Sequence, residues 1–142
     1  MIRGIEHVAL SVSNLDRSLA FYTEVMVLEL IRIIDSGAEM RLGDIVGMPD
    51  CSARIAHLQS EKTMLEIFEY TSPKGKKITE DFKQADNGFI HIGFFTTDIL
   101  SDYRRLKDHD VKFFNEPIEF RPGAWVVYFN GPDGEVCELR QT

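Results

Sequence analysis

At 142 residues, 44% apolar and 27% charged, the chain has the size and composition of one well-cored domain or of two small modules sharing a core. A net charge of −7 repels phosphate backbones and excludes nucleic acid as an expected partner. No apolar run approaches the ~20 residues that span a bilayer, "MIRGIEHVAL" carries no secretory h-region, and Cys51 and Cys137 form no CxxC pair. A cytoplasmic location with two reduced, buried thiols is the expectation.

Residues 4–13 alternate with strand period, Val8, Leu10 and Val12 on one face and Ile5, His7, Ala9 and Ser11 on the other. "SNLD" then predicts a helix start, with Ser13 or Asn14 as N-cap and Asp16 in the first turn. Leu15, Leu19, Tyr22 and Met26 form its apolar stripe. "LELIRIID" reads as the next strand, broken at Ser36–Gly37, and residues 38–50 as a loop or short helix ended by Pro49. "CSARIAHLQ" and "TMLEIFEY" read as two further strands around a polar turn at Ser60–Lys62. The first module is therefore β-α-β-β-β over about residues 1–72. A polar linker is expected at 73–87, with a helical turn around Ile78 to Lys83. The order then repeats over 88–142: a strand at 88–98, a helix from Ile99 to His109, a short strand "VKFFN", strand "AWVVYFN", a turn at "GPDG" and strand "EVCELRQ".

Aligning Gly4 on Gly88 places His7 on His91, and each half ends in a strand with a central glutamate, Glu66 in "MLEIFE" and Glu138 in "VCELRQ". Internal duplication is the economical explanation. The fold expected is α+β, two tandem βαβββ modules with helices on one sheet face. Neighbours of the four residues are apolar on the opposite strand face, so two imidazoles and two carboxylates should project together, away from the helices. A mid-strand carboxylate aimed into a cavity is costly without a partner. One divalent cation shared by His7, Glu66, His91 and Glu138 removes that cost, and the nitrogen and oxygen set suits Ni, Zn, Mn, Co or Fe. His57 is a reserve ligand, and His109 belongs to an exposed helix end.

With "IEHVALSVSNLDRSLAFYTEVM", "LEIFEYTSP", "GFIHIGFFTTDI" and "YFNGPDGEVCELRQ" in place, the chain resembles the vicinal oxygen chelate superfamily over essentially its whole length. That superfamily includes glyoxalase I, acyl-CoA epimerases, extradiol dioxygenases and fosfomycin- and bleomycin-resistance proteins. Its F-x-DPDG-x-x-x-E-L ending is matched here with Gly131 in place of the Asp. The complete His, Glu, His, Glu set is similar to that of the glyoxalase I-like branch. The resemblance implies proton transfer next to a carbonyl, with Glu138 as first choice for the base and Glu66 as the opposite acid or base. A curved mixed sheet built by the paired modules around a metal-binding cavity, a small carbonyl or acyl substrate and a homodimer are implied in the same way. Glyoxalase I-like enzymes of bacteria carry an arginine where Ser11 stands and an asparagine where Tyr70 stands, so the standard glutathione hemithioacetal is not the expected substrate. Ser11, Phe68, Tyr70 and Trp125 are the expected substrate-contacting walls, with Met64 nearby. The alternatives on the same scaffold are an acyl-CoA epimerase-like enzyme, an extradiol dioxygenase-like enzyme and a non-catalytic binding or resistance protein.

Overall fold

The computed structural model describes residues 1–36 and 41–142; Gly37 and the first three residues of the unclear stretch at 38–50 lie outside the described residues. Strands and helices follow in the order β1 (His7–Ser11), α1 (Leu15–Ala20), β2 (Glu29–Ser36), α2 (Leu42–Val46), β3 (Ser52–Gln59), β4 (Met64–Ser72), β5 (Ile92–Phe95), α3 (Ile99–Asp108), β6 (Ile118–Arg121), β7 (Ala124–Asn130) and β8 (Val136–Gln141). The fold is α+β. It contains two four-stranded mixed sheets, β1-β4-β3-β2 and β5-β8-β7-β6, one from each of the two βαβββ modules expected from the sequence. The chain divides into two compact units, Met1–Lys77 and Ile78–Thr142.

In the first unit β1 runs parallel to β4, while β4, β3 and β2 form an antiparallel meander. Asn14 is the N-cap of α1: its side chain accepts the Arg17 N–H at 2.8 Å. The helix ends at Ala20 and opens into a π turn, Phe21–Val25. The buried side chains are Leu15, Ser18 and Tyr22, at i, i+3 and i+7, while Leu19 and Met26 of the expected stripe are half-buried. α1 packs on β3 and β4, whose Ala56, Leu58, Leu65 and Ile67 are all buried. Fully burying a Leu or Ile side chain is worth roughly 1.5–3 kcal/mol, so this face supplies much of the unit's stability. On the other sheet face a smaller cluster, Leu42, Cys51, Ala53 and Ile55, is joined by Ile34, Met48, Phe68 and Tyr70.

The second unit repeats the pattern, β5 parallel to β8 and β8, β7 and β6 antiparallel. Asp98 caps α3 through the Ser101 N–H at 3.0 Å, and α3 packs on β8. Its core joins Ile99 and Leu106 to Val127, Phe129, Cys137 and Leu139, with Tyr103, Phe113 and Phe129 in a ring-to-ring chain. Both cysteines are buried thiols outside any disulfide. Two expectations need correction. "VKFFN" is not a strand; it makes one isolated bridge, Phe113 with Phe129, closed by Phe114 N–H to Tyr128 O at 2.9 Å and Asn130 N–H to Lys112 O at 3.0 Å, and its two phenyl rings meet Tyr103, Phe129 and Tyr128. The edge strand is instead β6, turned back onto β7 by Pro122–Gly123, with Gly123 at φ +79 as such a turn requires. Between Ser72 and Ile92 the described chain holds turns and no helix, the Phe82 N–H reaching Thr79 O at 3.1 Å.

The "GPDG" turn also explains the departure at Gly131. Gly131 N–H donates to Glu135 O at 2.8 Å, and the buried Glu135 carboxylate accepts the Asp133 N–H at 2.8 Å. A Cβ on Gly131 would collide with that carboxylate, so the glycine and Glu135 occupy one space between them.

Candidate metal-binding half-sites

Period-two alternation fixes which side chains share a face, and the ladders make it explicit. In the first unit His7 pairs with Met64, Ala9 with Glu66 and Ser11 with Phe68, while His57 faces Glu66 and Tyr70 faces Ala53 across β3–β4. His7, Ser11, Met64, Glu66, Phe68, Tyr70 and His57 therefore leave the sheet on the face opposite α1. His7 Nε2 lies 3.6 Å from Glu66 Oε2, and His57 Nε2 lies 3.3 Å from Glu66 Oε1. Phe68 and Tyr70 stack at 5.8 Å with their rings 18° apart.

The second unit builds the same pair. His91 stands one residue before β5, outside the strand itself, and its Nε2 lies 3.8 Å from Glu138 Oε2. Tyr128, the cross-strand partner of Glu138, donates its hydroxyl to Glu138 Oε1 at 3.0 Å and meets the His91 ring edge to face at 5.2 Å. Gly93 is the β5 partner of Glu138, and a Cβ there would come within 3.2 Å of Oε2; Ala9 holds the matching place beside Glu66. Trp125 corrects the sequence expectation. It pairs with Gln141, three positions from Tyr128, and so lies on the α3-covered face with Val127 and Phe129.

Protons can be placed on both histidines from their neighbours. His7 Nδ1 hydrogen-bonds the Glu6 carboxylate, which only accepts, so Nδ1 carries a proton. His91 Nδ1 is 3.2 Å from Gln84 Oε1, and Gln84 Nε2 donates to Ile90 O at 2.9 Å, which sets the amide's orientation. In the neutral rings both Nε2 atoms then present lone pairs to carboxylate oxygens. The hydrogen bond that His7 donates to Glu6, followed by the charge of Glu66, raises the pKa of His7 above the ordinary histidine value. Burial, followed by the hydrogen bond to Glu138, raises that of Tyr128.

These pairs fit a divalent cation. Two donor atoms each about 2.1 Å from one cation can be no more than about 4.2 Å apart, and 3.6 and 3.8 Å meet that limit without being hydrogen bonds. Each unit by itself holds one such imidazole–carboxylate pair. Among the described residues no group of three or more His, Cys, Asp or Glu is arranged to hold a metal by itself. Sequence reasoning missed Tyr128, Arg32, Gln84 and Glu6, whose roles come from ladder register and neighbouring contacts. Only the spacing of Tyr128 from the "GPDG" turn could have signalled one of them. His109, as expected, caps α3 and is exposed. No helix among the described residues is long and apolar enough to cross a membrane.

Known proteins match this architecture. A probable lactoylglutathione lyase of Synechocystis sp. is 31% identical over 138 residues, covering 96% of this chain and 93% of the relative. The crystal structure of a glyoxalase family protein from Bacillus cereus superposes with a TM-score of 0.88 at 19% identity, covering 99% of this chain and 94% of that one. The fosfomycin resistance protein FosX of Listeria monocytogenes, solved with Mn(II) and sulfate, superposes at a TM-score of 0.65 and 19% identity, covering 100% of this chain and 94% of FosX. The family model described as the glyoxalase/bleomycin resistance protein/dioxygenase superfamily matches residues 4–139, and the chain belongs to that superfamily.

Proposed function

We propose that the protein is a divalent-metal-dependent lyase or isomerase that moves a proton on carbon next to a carbonyl, with His7, Glu66, His91 and Glu138 as the cation's ligands. The observation that carries this reading is the twice-built pair of a histidine Nε2 lone pair and a glutamate Oε2 at 3.6 and 3.8 Å. Membership of the superfamily and the lyase relative at 31% identity support it. When bound, the cation supplies a Lewis acid for the substrate's oxygens and steadies charge that develops there. Ni, Zn, Mn, Co and Fe all suit the donor set.

Glu138 takes the proton from carbon. Tyr128 holds its Oε1, and the absence of a side chain at Gly93 leaves Oε2 room to move. Glu66 serves the opposite face of the reacting carbon. The stacked Phe68 and Tyr70 rings offer a flat apolar wall for a small carbonyl or acyl substrate, and Ser11 a hydroxyl. Ser11 supplies no cation for a glutathione carboxylate and the half-buried Tyr70 supplies no amide, which argues for a substrate other than the glutathione hemithioacetal. β1 and β5 each stand at the end of their sheet, and open edges of this kind favour association, here into a homodimer.

The test is solvent deuterium incorporation into a panel of α-keto thiohemiacetals and acyl thioesters by the Mn2+-loaded protein. Exchange should appear with at least one substrate and fall at least a hundredfold in Glu138→Gln, with circular dichroism unchanged. Exchange retained in Glu138→Gln would remove Glu138 as the base. A loaded wild type that exchanges nothing would move the chain to the binding members of the scaffold.

A further inference from the structure

Three neighbouring strands carry a relay of side chains ending on Glu66. Arg32 of β2 lies opposite His57 of β3, and its Nε–H donates to His57 Nδ1 at 3.1 Å. A guanidinium only donates, so Nδ1 offers its lone pair and the ring proton sits on Nε2. Nε2 lies 3.3 Å from Glu66 Oε1, in close contact and short of an aligned hydrogen bond. His57 is 8% exposed, so little water competes for that proton. The second unit holds its carboxylate more simply, through the Tyr128 hydroxyl on Glu138 Oε1. In both units Oε1 lies beside a side chain of the next strand, hydrogen-bonded to Tyr128 in the second unit and in contact with His57 in the first, and Oε2 lies beside the histidine.

We propose that Arg32 and His57 are positioning residues that hold Oε1 of Glu66, so that Oε2 alone is presented to the cation; this rests on the metal-site reading above. A carboxylate without such a partner rotates between one-oxygen and two-oxygen binding. His57 prevents that rotation, and the guanidinium behind it fixes the tautomer that makes His57 a donor. His57 is not itself a ligand, since Arg32 occupies one ring nitrogen and the proton facing Glu66 occupies the other.

The experiment joins imidazole nitrogen-15 NMR of the chelator-stripped protein to isothermal titration with Mn2+. His57 should show a protonated Nε2 and an unprotonated Nδ1 in the wild type, and mixed tautomers in Arg32→Met. Mn2+ affinity should fall about 10–100-fold in His57→Leu. His57→Gln keeps an N–H donor and should recover most of that loss. Arg32→Met, a change at an exposed side chain that leaves the core intact, should fall between them. A wild-type His57 protonated on Nδ1 overturns the inference. So does a wild type that binds Mn2+ no more tightly than both His57→Leu and Arg32→Met, with the metal-site reading left standing. A wild type that binds no Mn2+ overturns the metal-site reading and this inference with it.

Discussion

A carboxylate or phenol half-buried on a sheet face changes its chemistry through what surrounds it, and Tyr70 shows this apart from the histidine–glutamate pairs. Burial raises its pKa above the ordinary tyrosine value, and the neighbouring Cys51 adds to the rise. A folded-state pKa above the unfolded one means that the native state holds the proton longer. The stability this contributes is fully present below the unfolded value, about 10, and is lost as pH rises through the folded value. In a spectrophotometric titration of the four tyrosines, Tyr70→Phe should therefore remove a late-ionising component. It should also soften the loss of stability above pH about 10. A variant with an unchanged late component would show that Tyr70 titrates as a surface phenol. Glu66 and Glu138 are legible in the sequence because a mid-strand carboxylate among apolar residues calls for a partner. Tyr128 and Arg32 are not, because a tyrosine in a strand and an arginine on an edge strand are ordinary until register shows what they face.

At the scale of elements the duplication extends to single hydrogen bonds. Glu69 Oε2 accepts the Leu15 N–H at 3.1 Å, and Gln141 Oε1 accepts the Ile99 N–H at 2.8 Å. Each acceptor lies three residues past the glutamate of its unit, and each donor is the first residue of the helix. Asn14 and Asp98 meanwhile serve the N–H two residues further on. Helix starts leave backbone donors without intrahelical partners, and Leu15 and Ile99 are both buried, so water cannot replace the lost acceptor. Glu69→Ala and Gln141→Ala should each cost about 1–3 kcal/mol in urea unfolding; a cost within the error of extrapolation would mean that the helix starts relax without these partners. The caps themselves were readable, since "SNLD" and the start of α3 carry local signals. The strand-to-helix bonds were not, because they join residues 54 and 42 positions apart. β6 was missed for a different reason. Its aromatic neighbour "VKFFN" has strand composition, while the informative signal was the Pro122–Gly123 turn that folds "IEFR" onto β7. Trp125 was placed on the wrong face because strand parity across the "GPDG" connection depends on a register that composition does not reveal.

The whole chain poses a question that neither unit answers alone: why two histidine–glutamate pairs of the same polarity should stand in one molecule. Two donors per unit are too few to exclude water from a divalent ion or to bind it tightly against the proton, whereas four leave two open positions on a six-coordinate ion. If the halves serve one ion, selection keeps both sets, and their equivalence becomes measurable. Titration with Mn2+ should then reach one equivalent per chain. His7→Ala and His91→Ala should each lower affinity by a similar factor, at least a hundredfold, although they alter different units. Thermal stabilisation by Mn2+ should vanish in both variants together, since a ligand that binds only the native state stabilises it in proportion to its affinity. Two equivalents per chain, with each histidine variant losing only one of them, would instead describe two independent weak sites. The duplicated pairs would then be remnants of the ancestral module, and the proton-transfer reading would need a different centre.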